Sequence, residues 1–225
     1  MKKVVLKIER PSLRTEIVVR IMEAVFAGTI VPGSSIRERQ LSAELGVSRT
    51  PLREALLELA FHGIVNLQSH RGAKFEHFGT TELKEIYYIR GILESECARL
   101  ATPLLDKGQI DAQLKLMEQQ LATFSNEGKS KWSSRSIKVD EDFHEWIRAN
   151  CNNSRLQNEI GRYMALSYAI RRSLGTRYKT QERALHEHIA ILKSLQRRDA
   201  LGAADAMRAH IQNAAETAIG FMFKS

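Results

Sequence analysis

The amino-acid sequence predicts a mainly α protein, with an N-terminal winged helix-turn-helix unit followed by an all-α helical bundle. Apolar residues recur at helical spacing on both sides of Gly46, which stands where a tight turn would join two short helices. A strand-like stretch follows at residues 67–75, with a turn at Arg71 and Gly72. Beyond residue 80 every periodic segment repeats at 3.6 residues, so the rest of the chain is expected to be helical.

The first predicted helix covers residues 13–27. Its apolar side chains fall at every fourth position from Leu13 to Val25, and Gly28 ends the pattern. This helix is expected to pack behind the helix-turn-helix. The short alternating piece from Val4 to Ile8 is compatible with a strand and with an arm, and its pattern does not decide between the two.

The two helices that flank Gly46 have the features of a DNA-recognition motif. Leucines give each helix one apolar stripe, and either Ser48 or Thr50 can cap the second helix. Pro51 falls in the first turn of that helix, where its missing N–H would have no intrahelical partner. The spacing therefore predicts a helix-turn-helix rather than two unrelated helices.

The N-terminal end of the second helix is the end that a recognition helix inserts into the major groove of DNA. Arg49 and Arg53 are four residues apart and share one face there, where a guanidinium can pair with guanine edges or with phosphates. The hairpin at residues 67–75 would form the wing. Further backbone or minor-groove contacts are expected from Arg39 and from the wing residues His70, Arg71 and Gly72.

Four stretches of the chain resemble, in order and spacing, the DNA-binding domain of the GntR family of bacterial transcription regulators. They are Pro32-Gly33, Arg37 to Leu41, Val47 to Leu56 and Arg71-Gly72. The resemblance implies a winged helix that binds double-stranded DNA in a homodimer, so the operator should be a short inverted repeat. The residues expected at the DNA are Arg39, Ser48, Arg49, Thr50, Arg53, His70, Arg71 and Gly72.

Length and charge agree with two domains and a polyanionic partner. A chain of 225 residues can form two cores, and we place the DNA-binding domain at residues 1–78 and the helical domain at 79–225. The net charge is +8 and the sequence pI is near 9.6. Residues 1–78 contain 12 Lys and Arg against 8 Asp and Glu, a net of +4 in about a third of the chain, so the basic excess is denser there.

The two cysteines, Cys97 and Cys151, both fall at apolar positions of predicted helices. They are expected to be core thiols in a reducing compartment, since two isolated cysteines do not indicate a disulfide framework. Lys7 and Glu9 interrupt the apolar N-terminal stretch before it reaches the length of a signal peptide, and no run is long enough to span a membrane. A cytoplasmic protein without a membrane partner is therefore expected.

The second domain begins with a long predicted helix that Thr80 or Thr81 can cap and that extends to Ala101. The stretch from Gly128 to Ser136 is rich in Ser and Lys and is predicted to be a polar loop. The later helices are predicted near residues 109–125, 137–150, 154–174, 178–197 and 199–222.

Four polar side chains of this domain lie on helix faces that should be buried: Asp140, His144, His188 and His210. His186, by contrast, points away from the apolar face that carries His188. A single histidine in such a position is usually a hydrogen-bonded core residue. Burying one carboxylate and three imidazoles together requires partners for all of them, and a divalent metal ion would provide these partners at once.

The pattern Asp-x-x-Phe-His at residues 140–144, Glu187-His188 and then His210 resembles the metal-binding pattern of the FCD domain, the effector domain of FadR-like GntR regulators. The resemblance implies a bundle of six or seven helices in which Asp140, His144, His188 and His210 bind a divalent metal ion. Zinc, nickel and manganese all remain open. The coordination positions left over could hold water or the carboxylate of a ligand.

Arg90 lies near the inward side of the first long helix, and its position resembles that of the family arginine that faces the effector cavity. The alternative is a surface ion pair with Glu94, one helical turn later. Arg171 and Arg172 are interpreted as a solvated or interface face. Asn153 is interpreted as the cap of the helix that follows it.

Together these features predict a homodimeric, ligand-responsive transcriptional repressor that binds DNA through the winged helix and senses a small organic acid at a metal ion. The main alternative is a metal-dependent hydrolase or lyase acting on a small acid, since three His and one Asp with open positions could activate water. No separate general base stands out in the sequence, and an enzyme would not need a winged helix. An architectural DNA-binding protein would leave the buried polar cluster unexplained.

Overall fold

The computed structural model describes residues 13–68, 72–123, 129–174 and 178–222, and the chain divides into two compact units between His77 and Phe78. Both units are mainly helical, and the predicted fold class is confirmed. None of the helices formed by the described residues is both long enough and apolar enough to cross a membrane. Val4–Ile8, His70 and Arg71 lie outside the described residues.

The described residues of the first unit form three helices and a small antiparallel sheet. The helices are α1 (Leu13–Phe26), α2 (Glu38–Leu45) and α3 (Arg49–Phe61), and the strands are β1 (Ser35–Ile36), β2 (Val65–Gln68) and β3 (Gly72–Phe75). As predicted, α1 packs behind the helix-turn-helix, with its apolar stripe against that of α3. The side chains buried there are Ile17, Val18, Ile21 and Met22 of α1 and Leu52, Leu56 and Leu59 of α3.

The turn between α2 and α3 depends on Gly46. Its φ of 65° is left-handed, a conformation that glycine adopts without the strain that a Cβ would introduce. The Gly46 N–H donates to the carbonyl of Ala43 at 3.2 Å, and the Val47 N–H donates to the carbonyl of Ser42 at 3.0 Å. These two bonds close the last turn of α2 and set the position from which α3 begins.

The predicted hairpin is present, and a third strand joins it. β2 and β3 pair antiparallel, with Val65 opposite Phe75 and Leu67 opposite Ala73. β1 pairs with the other side of β3, so the strand order is β1-β3-β2. The sequence did not predict β1, because a strand of two residues is too short to show alternation.

The second unit is an all-α bundle, with seven helices among its described residues. They are α4 (Thr80–Ala101), α5 (Lys107–Ala122), α6 (Lys129–Asn150), α7 (Ser154–Gly161), α8 (Met164–Ser173), α9 (Tyr178–Gln196) and α10 (Ala200–Met222). α4 and α10 form the most extensive helix pair, and α9 packs against α5, α6 and α10. Side chains from α6, α9 and α10 can therefore meet in the interior.

The beginning of α6 corrects the prediction of a polar loop at residues 128–136, because the helix already starts at Lys129. Trp132 explains the difference, since this fully buried side chain donates its indole N–H to the carbonyl of Gln120 at 2.7 Å. The Gln120 amide in turn donates to the hydroxyl of Ser136 at 2.8 Å. One large side chain and a buried amide thus anchor the helix to α5. The polar composition of residues 128–136 does not predict these contacts.

The single helix predicted at residues 154–174 is interrupted between α7 and α8. The N–H groups of Arg162 and Tyr163 donate to carbonyls three residues earlier, at 3.2 and 2.9 Å. This tighter spacing ends α7 before α8 begins at Met164.

The helix caps agree with the prediction at α7 and differ at α4. The side-chain oxygen of Asn153 accepts the N–H of Leu156 at 3.1 Å, as expected for the cap of α7. The N-cap of α4 is Gly79 rather than a threonine, and its N–H donates to the carboxylate of Glu82 at 2.7 Å. The acidic side chain in the first turn thus satisfies the N–H of the cap residue, which is the second half of a capping box.

Cys97 and Cys151 are buried free thiols, as predicted. Burial raises the pKa of Cys97, and the neighbouring Cys151 thiol raises it further. Cys97 therefore stays protonated and behaves as a small apolar group of the core.

Candidate functional site

The four predicted metal ligands converge in the interior of the second unit. Asp140 and His144 project from α6 one turn apart, His188 projects from α9, and His210 projects from α10. Only 5%, 0% and 3% of the surface of the three histidines is exposed. One ring nitrogen or carboxylate oxygen from each residue lies within 4.8 Å of the others. His186 is exposed, so the structure separates the two histidines of α9 as the sequence predicted.

Three Nε2 atoms and one carboxylate oxygen face a common centre. Nε2 of His210 lies 3.1 Å from Nε2 of His144 and 3.2 Å from Nε2 of His188. Oδ1 of Asp140 lies 3.4 Å from His188 Nε2 and 3.8 Å from His144 Nε2. Two nitrogens that bind one zinc ion at about 2.0–2.1 Å are about 2.9–3.4 Å apart for angles between octahedral and tetrahedral. The observed nitrogen separations fall in this range.

The other ring nitrogen of two of these histidines faces a carboxylate. Nδ1 of His210 lies 2.7 Å from Oε2 of Glu187 in hydrogen-bond geometry. Nδ1 of His144 lies 2.7 Å from Oε2 of Glu94, at an angle that departs from a straight hydrogen bond. Burial opposes the ionisation of both carboxyl groups, but neighbouring cations and hydrogen bonds hold the pKa of each below its usual range. Ionised carboxylates only accept hydrogen bonds, so the ring protons of these histidines belong on Nδ1.

With the ring protons on Nδ1, the Nε2 atoms of His144 and His210, which are 3.1 Å apart, are the nitrogens left to bind an ion at the common centre. Burial lowers the pKa of His144 and of His188, so neither ring supplies a second proton at neutral pH. A divalent cation bound by the Nε2 atoms and by Asp140 would give these buried groups a common partner. The residues present therefore fit a metal ion.

His188 is held mainly by packing. Its ring stacks on Phe143 with the two centroids 4.2 Å apart, and no part of its surface is exposed. Its Nδ1 has no hydrogen-bond partner among the described residues. The orientation of this ring therefore depends on aromatic stacking rather than on a carboxylate.

Arg90 forms an ion pair with Glu94 and also borders a cavity. Its Nε and Nη2 both pair with Oε1 of Glu94, at 2.9 and 2.8 Å, and its guanidinium lies 4.7 Å from the ring centroid of Tyr87. The pair is buried, so it is not the surface ion pair that was considered. Arg90 also lines the cavity beside the predicted metal ligands.

This cavity has a volume of about 80 Å³ and is bordered by Asp140, His188 and His210. Its polar wall includes three arginines, each paired with a carboxylate: Arg90 with Glu94, Arg171 with Asp140 and Arg183 with Glu187. Its apolar wall consists of Ile137, Leu174, Ala184, Leu185, Ile211 and Ala214. The combination suits a small anion with a short apolar part.

Arg171 corrects the interpretation of this region as a solvated or interface face. Its side chain is only 18% exposed, and its Nε lies 2.6 Å from Oδ2 of Asp140. Its neighbour Arg172 points elsewhere, with its guanidinium 5.7 Å from the ring centroid of Tyr168. Asp140 is thus shared, with one oxygen toward the imidazoles and the other toward Arg171.

Glu141 has the pKa expected of a general base, but it does not face the cavity. Burial raises the pKa of its carboxyl group to about 7, and its Oε1 has no hydrogen-bond partner among the described residues. Adjacent residues on a helix are turned by about 100° from each other, which directs Glu141 away from the side of Asp140. It is accordingly absent from the described residues that line the cavity.

Sequence reasoning did not assign Glu94, Glu187, Arg171 or Arg183 to the site. A signal existed for the two glutamates, because each lies close along its helix to a predicted site residue, Glu94 after Arg90 and Glu187 before His188. No comparable signal existed for Arg171, whose partner Asp140 lies on a different helix. Such a pair becomes visible only when the two helices are packed together.

The beginning of α3 presents an exposed polar surface in the first unit. Its exposed residues are Ser48, Arg49, Thr50 and Arg53, and Arg39 of α2 is exposed as well. Ser48 precedes the helix as its N-cap by backbone conformation without a capping hydrogen bond, and Thr50 lies inside the helix rather than capping it. Arg53 Nε lies 3.4 Å from Oε2 of Glu38, yet its side chain is 70% exposed, so this pair is weak.

Two protein families match the chain. The family described as bacterial regulatory proteins, gntR family, matches residues 13–75, and the FCD domain matches residues 85–213, more than half of the chain. This protein is a GntR-family transcriptional regulator with an FCD domain. Each match falls within one of the two structural units, and both resemblances seen in the sequence are confirmed.

Two relatives of the chain are named as transcriptional repressors, and a solved structure shares its fold. The HTH-type transcriptional repressor RspR of Escherichia coli K12 is 25% identical over 189 residues, which are 84% of this chain and 81% of RspR. The gluconate operon transcriptional repressor of Bacillus licheniformis is 27% identical over 200 residues, 85% of this chain and 79% of the repressor. The solved structure of E. coli McbR/YncC shares the fold, with a TM-score of 0.61, 21% identity, and coverage of 90% of this chain and 95% of that one. The two relatives are named as transcriptional repressors, so the alternative of a hydrolase or lyase gains no support.

Proposed function

We propose that this GntR-family regulator is a homodimeric repressor whose affinity for DNA changes when a small organic acid binds at a divalent metal ion in the FCD domain. The observation that carries the proposal is the convergence of three Nε2 atoms and Asp140 Oδ1 beside a cavity lined by arginines. Repression as the direction of control is supported by two relatives that are named as repressors.

The metal ion would be held by Asp140, His144, His188 and His210. When bound, it would act as a Lewis acid that accepts a carboxylate oxygen of the acid at a position left open by the protein. Three imidazoles and one carboxylate suit zinc best, and nickel or manganese is compatible with the same donors.

The cavity supports a short acid as the effector. Its volume of about 80 Å³ is well above the roughly 10–15 Å³ that one water needs, so it has room for a ligand of several non-hydrogen atoms. Glycolate, lactate and malonate are in this size range, whereas gluconate is larger. Arg90 and Arg171 would supply the cationic partners for a carboxylate next to the ion.

The DNA-binding surface is proposed to be the exposed beginning of α3. Arg49 and Arg53 would reach base edges in the major groove, while Arg39, Ser48 and Thr50 would contact the backbone. The wing residues His70, Arg71 and Gly72 would complete the interface. Because α3 is anchored by buried leucines on its opposite side, its arginines can be replaced without disturbing the core.

The homodimer is supported by an apolar surface on α4. Tyr88, Ile89 and Ile92 are 72%, 42% and 45% exposed, and they lie on the side of α4 opposite to Arg90 and Glu94. An antiparallel contact between two copies of this surface would be self-complementary, as two-fold symmetry requires. Two recognition helices would then face an operator that is an inverted repeat.

The test is a measurement of DNA affinity against acid concentration, using operator fragments selected from random DNA by the full-length protein. Fluorescence anisotropy should show that a short acid changes the affinity of the zinc-loaded protein and not that of the chelator-treated protein. A thermal-shift screen of acids identifies the binder beforehand, because a ligand that binds the native state stabilises it. His186→Ala should keep the response and His188→Ala should lose it. An equal response from the chelator-treated protein would contradict the proposed role of the metal.

A further inference from the structure

Glu187 connects a cavity arginine to a predicted metal ligand. Its Oε2 accepts a hydrogen bond from Nδ1 of His210 at 2.7 Å. Its Oε1 accepts a hydrogen bond from the Asn213 amide at 2.8 Å and lies 3.4 Å from Nε of Arg183. Since each carboxylate oxygen has its own donor, the group cannot rotate without losing a hydrogen bond. The ring of His210 is therefore held from behind by a carboxylate that is itself fixed.

Glu94 occupies the equivalent position behind His144. Its Oε1 pairs with Arg90, and its Oε2 lies 2.7 Å from Nδ1 of His144. Glu94 belongs to α4, a helix that provides none of the four predicted ligands. The carboxylate of Glu94 therefore links α4 to one of the predicted ligands.

We propose that Glu94 and Glu187 are positioning residues of the metal centre, which fix the tautomer and ring orientation of His144 and His210 so that both Nε2 atoms face the ion. This inference rests on the proposed metal site. A neutral imidazole can carry its proton on either nitrogen, and a carboxylate at Nδ1 selects the form whose Nε2 is free to bind metal. The carboxylate also makes Nε2 a stronger donor to the ion.

The third imidazole provides an internal comparison. Among the described residues, Nδ1 of His188 has neither a hydrogen-bond partner nor the close carboxylate that Nδ1 of His144 has at 2.7 Å, and its ring is oriented by stacking on Phe143. The two kinds of support predict different sensitivity to substitution. Removal of a glutamate should weaken the binding of metal without removing a ligand, whereas removal of His188 removes the ligand itself.

Glu187→Gln tests the proposal, because glutamine keeps the size of the side chain and removes its charge. The affinity of the full-length protein for zinc should fall about 10- to 100-fold, the usual effect of losing such a partner. Substitution by cobalt should show an altered visible absorption spectrum, which a change in stability alone would not produce. Glu182→Gln, an exposed position on the same helix, is the matched control and should leave both properties unchanged.

A measurement on the wild-type protein keeps the proposal testable if the variant does not fold. In zinc-loaded protein labelled with ¹⁵N-histidine, the NMR spectrum should show Nδ1 protonated and Nε2 bound to metal for His144 and His210. Metal bound through Nδ1, or equal zinc affinity for Glu187→Gln and wild type, would overturn the positioning role alone. A wild-type protein that binds no zinc, nickel or manganese would overturn the proposed metal site and this inference with it.

Discussion

The buried ion pair of Arg90 and Glu94 allows the energetic cost of an unpaired charge inside the FCD domain to be measured. Arg90→Met keeps most of the side-chain volume but leaves the Glu94 carboxylate, which is 6% exposed, without its cation. Removing one partner of a buried pair costs about 3–5 kcal/mol, because the remaining charge stays desolvated. We expect the free energy of unfolding of the second unit to fall by this amount, a large part of the stability of an ordinary domain.

The two tryptophans make this measurement specific to the second unit. Trp132 and Trp146 both lie on α6, so their fluorescence in urea reports the unfolding of the FCD domain. Arg90→Met, Glu94→Gln and the double variant complete a double-mutant cycle in metal-free protein. The double variant should recover part of the loss, with a coupling energy of about 1–3 kcal/mol.

An exposed pair on the same helix serves as the control. Arg99 pairs with Glu96 at 2.7 Å, but both side chains are more than two-fifths exposed, so Arg99→Met should leave the urea midpoint unchanged. The dependence on pH gives a second criterion. Burial raises the pKa of Glu94, but Arg90 and other neighbours hold it below the usual 4.5. Without Arg90 the buried carboxyl group is protonated at a higher pH than in the wild type, so the deficit of Arg90→Met should shrink as the pH falls and Glu94 of the variant becomes neutral. Equal stability of Arg90→Met and Arg99→Met would refute the claim that Arg90 neutralises a buried charge.

Three further predictions concern the proposed sites. Arg49→Ala and Arg53→Ala should each weaken operator binding by roughly 1–3 kcal/mol in a mobility-shift assay, while the circular dichroism spectrum stays unchanged. Unchanged DNA footprints from both variants would exclude these residues from the interface. His188→Ala should purify without metal while His186→Ala keeps about one ion per chain by elemental analysis, and the absence of metal from reconstituted wild type would reject the site. The pKa values of His144 and His188 are lowered by burial, whereas the unfolded chain takes up these protons near pH 6.5, so acidification favours unfolding. The stability of metal-free protein should therefore decline from pH 7 to pH 5, and a flat profile would contradict the burial of neutral imidazoles.

The helices were predictable where one face carries a continuous apolar stripe. α1, α9 and α10 begin and end within one or two residues of the predicted limits, because each buries a stripe along its whole length. The first two turns of α6 were missed because the burial there is concentrated in Trp132. A periodicity argument needs several apolar positions, and one large anchor does not provide them.

The predicted ligands followed from the same periodicity applied to polar residues. Asp140, His144, His188 and His210 stood out because a polar group on an apolar face needs a partner. Their immediate partners did not stand out, since a glutamate on a half-polar face looks like an ordinary surface residue. Glu187 is half-buried, and its role depends on the packing of α9 against α10, which brings it to His210.

For Arg90, a position at the cavity and an ion pair with Glu94 do not exclude each other. An arginine that faces a buried anion site is itself desolvated whenever the anion is absent, and it then needs a carboxylate from the protein. The ion pair with Glu94 is thus a physical condition of the cavity position of Arg90, and Arg171, whose side chain is 18% exposed, has a carboxylate partner for the same reason. An acid that enters the cavity has to compete with carboxylates that also contact the proposed metal ligands. Binding of the acid and binding of the metal would consequently be linked through these shared groups, and by reciprocity each would change the affinity of the other.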